Sequence, residues 1–284
     1  ANLFAGVVFV GYMIQSMLAM KLGSMPAGTF LNRLIGDAPF GHALYHSAMV
    51  WVQYIAIEPY LRRVRPTALV SWARMVSHRW KDPILGRDVL AGLFLGSTLV
   101  ALQFAAGRAL LSFEGKMFFR EILDGGREIG IASATNALAG WAYAVAFAAP
   151  AVMLLMVIYI LLVLVLRREA LAIGAIPVLA VVPAMFFGLD TPLWFNATQG
   201  LLVAGALLIA VIRFGVLAGV MVMFTFLLAN SLPWALNPAA WYGPVTMMTP
   251  ILLSVLAVWA GMTALGDRAG FGDLVGEGRA DGAR

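Results

Sequence analysis

The chain has 284 residues, of which 62% are hydrophobic and 12% charged, and 19 Lys and Arg outnumber 14 Asp and Glu to give a formal net charge of +5. Soluble domains carry roughly 25% charged residues, so this composition excludes a water-covered globular protein and indicates an integral membrane protein. The bases flank apolar stretches, which favours anionic lipid headgroups over nucleic acid as their partner. The absence of cysteine excludes disulfides, thiolate catalysis and cysteine metal sites.

Eight apolar stretches are predicted to be membrane-spanning helices, because backbone polar groups in hydrocarbon must pair within helices of about 20 residues. The spans are predicted at about 3–20, 40–57, 89–111, 138–166, 171–187, 197–212, 216–232 and 244–265. The expected fold is therefore an all-α, polytopic helical bundle over residues 1–265. An extramembrane segment is expected at about 112–133, and a flexible cytoplasmic tail at 266–284.

Three local predictions concern the residues between the second and third spans. Pro59 lacks an N–H donor and disfavours helical geometry at Glu58, so a break or kink is expected there. Arg62 lies four residues after Glu58, the favourable order for a local ion pair. Asp88 is predicted to cap the start of the third span, where a carboxylate can accept from unpaired N–H groups.

The polar stretch between these spans holds seven of the chain's Lys and Arg residues. Bases in short loops remain on the cytoplasmic side of a membrane. Residues 67–85 within it predict an amphipathic helix that lies in the headgroup plane, with tryptophans on one face and bases on the other. The residues predicted to contact lipid are Arg62, Arg63, Arg65, Trp72, Arg74, Arg79, Trp80 and Lys81.

Alternating the spans from this stretch places 13 of the 19 Lys and Arg on the cytoplasmic side. That asymmetry predicts a multi-pass protein of a bacterial inner membrane with both termini in the cytoplasm. The first residue is Ala1, inside an apolar stretch, and we interpret this start as the processed or truncated end of a longer product.

The same polar stretch, YIAIEPYLRR followed by LVSWARMVSHRWKDPILGRDVLAGLFLG within residues 54–96, resembles a known family. It is similar to the membrane region at the C-terminal end of acidobacterial serine/threonine protein kinases. The resemblance continues in IRFGVLA at 212–218, AAWYG at 239–243 and ALGDRAGFGDLV at 264–275, and so covers most of the chain. It implies an attached cytoplasmic kinase domain in the relatives. The chain itself has no glycine-rich phosphate loop, HRD or DFG motif, so no kinase catalytic residue is transferred to it.

His42 and His46 lie at positions i and i+4 and therefore share one helix face. Ala43 stands where a zincin helix needs its glutamate base, which argues against metalloprotease chemistry. One imidazole could instead be an axial ligand of haem or chlorophyll in an apolar bundle. The alternative is that both histidines serve only in helix packing or at the interface.

The function predicted from these observations is a non-catalytic membrane scaffold or sensor domain, as the family resemblance implies. Its expected partners are anionic lipid headgroups and either an attached cytoplasmic domain or other membrane subunits. A second hypothesis is an accessory subunit of a photosynthetic or respiratory membrane complex that contacts pigment or haem. A third is a transporter, because proline-broken helices and polar residues such as Gln103, Asn136 and Asn230 could line a path.

Overall fold

The computed structural model describes residues 2–19, 38–114, 134–187, 193–231 and 243–266. These residues form α-helices and one short 3₁₀ segment, with no β-strand among them, which confirms the predicted all-α class for this part of the chain. The helices are α1 Asn2–Ala19, α2 Ala38–Val64, α3 Val70–Val76, α4 Pro83–Glu114, α5 Ala134–Leu166, α6 Glu169–Phe187, α7 Leu193–Arg213, α8 Val216–Ser231 and α9 Gly243–Leu265, and the 3₁₀ segment is Pro66–Leu69. Most of the predicted segment 112–133, and the tail beyond Gly266, lie outside the described residues.

Four of the described helices are long and apolar enough to cross a membrane. They are Pro83–Arg108 in α4, Ala137–Leu166 in α5, Leu193–Arg213 as α7, and Met247–Leu265 in α9. The apolar parts of α1, α6 and α8 have only 10–17 residues, which at about 1.5 Å per residue is short of the ~30 Å hydrocarbon core. The predicted count of eight spans is therefore not supported, and four is the number that the described residues support.

The predicted break at Pro59 is wrong, because α2 continues through the proline to Val64, and a kink at this position stays a prediction. Leu61 is only 2% exposed and anchors this last turn in the core. Arg62 also bonds back to Glu58, with Nη2 at 2.7 Å from Oε1, as the i,i+4 spacing predicted. Core packing beyond the proline thus outweighs the lost backbone hydrogen bond.

The basic stretch after α2 is less helical than predicted. Residues 67–85 were expected to form one helix, but α3 ends at Val76 and a turn follows, in which His78 has a φ of 60°. The next helix begins at Pro83 rather than near Asp88, because proline is well suited to a first helical position. Asp82 caps this helix, with its Oδ1 accepting from the N–H of Ile84 at 3.0 Å.

Helices α5 and α8 lie at the centre of the bundle. Helices α1 and α2 pack on one flank of α5, the pair α6 and α7 packs beside it, and α4 lies between α8 and α9. Lipid supplies no hydrophobic drive between helices, so close approach at small residues has to hold such a bundle together. Gly92 and Gly96 of α4 meet α8 in this way, and Gly86 of α4 meets α9. Many large apolar side chains remain exposed along the helices, among them Val165 at 76% and Phe94 at 71%.

Candidate functional site

Charged side chains collect at one end of the bundle, which we call the basic end. Here α2, α5, α7 and α9 end while α4, α6 and α8 begin. Of the eleven Lys and Arg side chains in the described ranges, Arg108 alone lies toward the opposite end of its helix, and the other ten are at the basic end. Those ten are Arg62, Arg63, Arg65, Arg74, Arg79, Lys81, Arg87, Arg167, Arg168 and Arg213. Five of the six bases predicted on the opposite side lie outside the described residues, so the predicted distribution of bases across a membrane stays a prediction.

The four acidic side chains that the structure describes also lie at the basic end, and each one is held by an arginine. The pairs are Glu58–Arg62, Glu169–Arg65, Asp82–Arg74 and Asp88–Arg87. Charge-assisted hydrogen bonds of this kind occupy the carboxylate oxygens and fix their geometry. This pattern is typical of a structural ion-pair network.

Arg65 joins three helix ends through one side chain. Its Nε donates to Oε1 of Glu169 at 3.1 Å, its Nη2 bonds the same oxygen, and its Nη1 donates to the carbonyl of Ile212 at 3.3 Å. The buried Tyr159 donates to the same Glu169 oxygen at 3.0 Å. These bonds from Arg65 and Tyr159 hold the pKa of the Glu169 carboxyl, at the first residue of α6, below its usual range.

We expect Arg65→Leu to lower the free energy of unfolding by about 1–2 kcal/mol. Removing one partner of a buried pair costs about 3–5 kcal/mol, but Glu169 is 46% exposed, and solvent screening reduces the loss. Arg62→Leu is the matched control, since the Arg62 side chain is 64% exposed and exposed ion pairs contribute little to stability. Chemical unfolding in detergent measures both, and equal losses would contradict the structural role of Arg65.

The pH dependence of that loss follows from the lowered pKa of Glu169. A carboxyl whose folded pKa is depressed contributes stability above its unfolded pKa, here 4.5, and loses it as the pH falls through the folded value. The difference between wild type and Arg65→Leu should therefore be complete at pH 7 and shrink as the pH falls below 4.5.

Arg74 and Asp82 close the turn between α3 and α4. Nη1 of Arg74 lies 2.5 Å from Oδ1 and 2.6 Å from Oδ2 of Asp82. Burial raises the pKa of Asp82, but the hydrogen bonds from Arg74 and from the N–H of Ile84 outweigh it, so the pKa is lowered overall. The pair holds the exposed loop against the cap of α4.

A pocket of about 190 Å³ opens at the basic end between the 3₁₀ segment, the start of α4 and the turn between α7 and α8. We call it the arginine pocket and define it by Arg65, Thr67, Arg87, Asp88, Arg213 and Gly215. The Asp88 side chain is only 2% exposed, and Nε and Nη2 of Arg87 both donate to its Oδ1, at 3.0 and 2.9 Å. Asp88 is thus a buried carboxylate in the wall of the pocket and not the helix cap that the sequence predicted.

The turn from α7 to α8 brings two helices together above the 3₁₀ segment. Gly215 has a φ of +108°, and its N–H bonds the carbonyls of Ala210 and Val211 at 3.1 Å each. These bonds satisfy carbonyls at the end of α7, as a left-handed helix-ending residue does. A Cβ on Gly215 would lie 2.7 Å from the carbonyl oxygen of Ala68, so the turn rests directly on the 3₁₀ segment.

The residues predicted to contact lipid fall into three groups. Exposed residues are Arg62, Arg63, Arg79, Trp80 and Lys81. Arg65 and Arg74 are partly buried and ion-paired. Trp72 is only 3% exposed and packs in the core, so it has little surface to present to lipid, although its spacing matches that of the 50% exposed Trp80.

His42 and His46 occupy different surroundings on α2. His42 is exposed. The ring of His46 stacks on that of Tyr12 with centroids 4.4 Å apart and 6° between the planes, and Phe147 lies 5.3 Å away. Among the described residues, no group of three or more histidine or acidic side chains is placed to hold a metal ion. Ligation of haem or chlorophyll by either histidine stays a prediction.

Two of the polar residues considered for a transport path bond across helices. Asn230 of α8 donates to Oε1 of Gln103 in α4 at 3.1 Å and to the carbonyl of Phe226 at 2.8 Å. A mainly apolar groove of about 420 Å³ lies nearby between α4, α8 and α9. Asn136 lies in a part of α5 whose side chains are outside the described set.

Sequence reasoning missed Asp88 as a pocket residue, Glu169 as the partner of Arg65, and the closely packed glycines. The G-x-x-x-G spacing of Gly92 and Gly96 was the available signal for the last, since it is typical of helix contacts in membranes. No local pattern identified Glu169, which is 104 residues from Arg65.

Comparisons with protein-family models, with curated proteins and with solved structures give no match to this chain.

Proposed function

We propose that this chain is a non-catalytic, membrane-embedded scaffold or sensor domain whose basic end binds anionic lipid headgroups at the cytoplasmic face. Through that end it would transmit changes to an attached cytoplasmic domain or to a partner. The supporting observation is that ten of the eleven described Lys and Arg side chains lie at one end.

The surface between the two ends suits a lipid environment. Large apolar side chains such as Val165 and Phe94 are 76% and 71% exposed, which is costly in water and favourable in hydrocarbon. Bases at one end of such a bundle favour the cytoplasmic leaflet, where each Lys or Arg near an anionic surface contributes about 1 kcal/mol.

Ion pairs couple the helices at this end. Arg65 connects the end of α2 with α6 and α7, so a movement of one helix end is transmitted to the others. A scaffold or sensor needs such mechanical connection more than it needs a reactive group. The resemblance to the membrane region of acidobacterial kinases favours the same role, with a kinase domain as the attached partner.

The proposal is tested by replacing Arg63, Arg79 and Lys81, which are exposed, with glutamine. Affinity for phosphatidylglycerol is measured by titrating detergent-solubilised protein and following the thermal unfolding midpoint. Three bases at about 1 kcal/mol each predict a loss of about 100-fold in apparent affinity, and high salt should weaken wild-type binding.

Phosphatidylcholine and the Arg108→Gln variant are the controls. Phosphatidylcholine should stabilise the wild type much less than phosphatidylglycerol, and Arg108→Gln should respond to phosphatidylglycerol as the wild type does. If both lipids stabilise the wild type equally, or if the triple variant keeps its full response, anionic-lipid binding at the basic end is refuted.

A further inference from the structure

The arginine pocket lies at the basic end beside Arg63, Arg79 and Lys81, and two of its own arginines, Arg87 and Arg213, are exposed as well. Its volume of about 190 Å³ is the share of roughly six water molecules in the liquid, enough for a phosphate group with part of its substituent. The Arg65 side chain is 25% exposed and that of Arg87 is 60% exposed, so the first lies deeper and the second nearer the mouth. The pocket therefore presents cations at two depths.

Charge balance selects the ligand. Arg65 is paired with Glu169, and Arg87 is paired with Asp88. Among the described residues, no carboxylate forms an ion pair with Arg213. Three guanidinium groups and two carboxylates leave one positive charge, which matches the single negative charge of a phosphodiester.

Asp88 favours a phosphodiester over a phosphate monoester as the ligand. Its carboxylate lies in the pocket wall and repels negative charge, so a phosphate monoester that carries nearly two charges at neutral pH meets more repulsion than a diester. Arginine is also suited to phosphate oxygens, because its planar group presents several donors at fixed angles. Thr67 adds a hydroxyl to the same wall.

Two further features suit a phosphodiester carrying an apolar group. The 16-residue helix α8 begins at Val216, directly after Gly215 of the pocket, so the unpaired N–H groups of its first turn add positive potential. Val70, Ile84 and Phe214 also line the pocket and can contact a glycerol backbone and the first methylene groups of acyl chains.

We propose that the arginine pocket binds one phosphodiester group, held by Arg213 together with Arg65 and Arg87, as in a phospholipid headgroup or a free phosphate diester. This inference rests on the proposed lipid-binding function and deepens it, because it places one saturable site beside a diffuse basic surface. Arg213 makes the largest contribution, since no carboxylate among the described residues forms an ion pair with it.

Native mass spectrometry of the full chain in detergent is the test, with phosphatidylglycerol as the probe. The wild type should take up one lipid in a saturable step. Arg213→Gln should weaken that step about tenfold or more. Arg108→Gln, a charge-matched change toward the opposite end of α4 that does not line the pocket, should leave it unchanged.

Competition identifies the source of the phosphate. Displacement of the bound lipid by millimolar glycerophosphoglycerol would support the site and assign it to a soluble diester. Retention of the lipid under the same conditions would support the site and assign it to a membrane lipid. If the wild type shows no saturable single adduct, or if Arg108→Gln weakens it as much as Arg213→Gln, the proposal is overturned.

Misfolding of a variant does not obstruct the test. Circular dichroism checks each protein, and Thr67→Val, a smaller change in the same wall, replaces Arg213→Gln if that variant unfolds. The wild-type titration also tests the proposal without any variant, because the absence of a saturable single adduct overturns it. Loss of general phosphatidylglycerol stabilisation in the Arg63, Arg79 and Lys81 triple variant with the single adduct intact would support this site while separating it from the diffuse surface.

Discussion

Gly215→Ala is expected to lower the free energy of unfolding by about 3–4 kcal/mol, the largest single-residue effect that we predict. The φ of +108° is a conformation that costs a residue with a Cβ about 1–3 kcal/mol. The new Cβ would also lie 2.7 Å from the Ala68 carbonyl oxygen, and overpacking of this kind adds about 1–3 kcal/mol. Chemical unfolding followed by circular dichroism in detergent measures the loss.

Gly174→Ala is the matched control for this change. A Cβ at Gly174, within α6, meets no atom within 4 Å, and alanine is the better helix former by about 1 kcal/mol. The control should therefore be neutral or slightly stabilising. If Gly215→Ala unfolds at the same denaturant concentration as the control, the turn between α7 and α8 does not have the geometry described.

Gly92→Ala should push α4 away from α8 and cost about 2 kcal/mol, an overpacking penalty of about 3 kcal/mol less a helix-propensity gain of about 1 kcal/mol. A Cβ at Gly92 would lie 2.5 Å from Cβ of Met221 and 2.6 Å from the carbonyl oxygen of Ala218. The carbonyl belongs to the backbone of a packed helix and cannot rotate away as a flexible side chain can. Overpacking therefore exceeds the helix-propensity gain of about 1 kcal/mol, and thermal unfolding measures the difference.

Gly205→Ala and Gly96→Ala are comparison variants for the stability loss predicted for Gly92→Ala. A Cβ at Gly205 in α7 has nothing within 4 Å, whereas a Cβ at Gly96 would lie 2.7 Å from Cβ of Thr225. Stability should therefore fall in the order Gly205→Ala, Gly96→Ala, Gly92→Ala. Equal stability of the first and last variants would show that α4 and α8 are not in backbone contact.

The positions of the helices were largely predictable from sequence. The predicted spans 138–166 and 216–232 coincide closely with α5 Ala134–Leu166 and α8 Val216–Ser231. Apolar runs bounded by charged residues and glycine predict where a helix lies, because the backbone hydrogen bonds of a helix form within the helix itself. The count of helices long enough to span was not predictable in the same way, because it depends on the helix boundaries: α4 is apolar over Pro83–Arg108, and α8 only over Val216–Asn230.

The candidate site was predictable only in its composition. Bases such as Arg63 and Arg79 are visible as a cluster in the chain, and their exposure follows from the cost of burying a charge. The burial of Trp72 could not be predicted from the sequence. The spacing of the apolar residues around it is the same whether the apolar face of the helix meets lipid or protein. The partner of Arg65 lies on another helix, at a separation that no local pattern covers.

The sequence by itself therefore determined the all-α class, the approximate helix positions and the presence of helices apolar enough to cross a membrane, because composition and local hydrogen bonding dictate each of them. Tertiary structure alone decided that Arg65 meets Glu169, that Asp88 is buried in the arginine pocket, and that Gly92 and Gly215 admit no side chain. These features depend on which helix faces meet and how closely. That choice is made by complementary shape and paired charge between distant segments, which the order of residues along one helix does not encode.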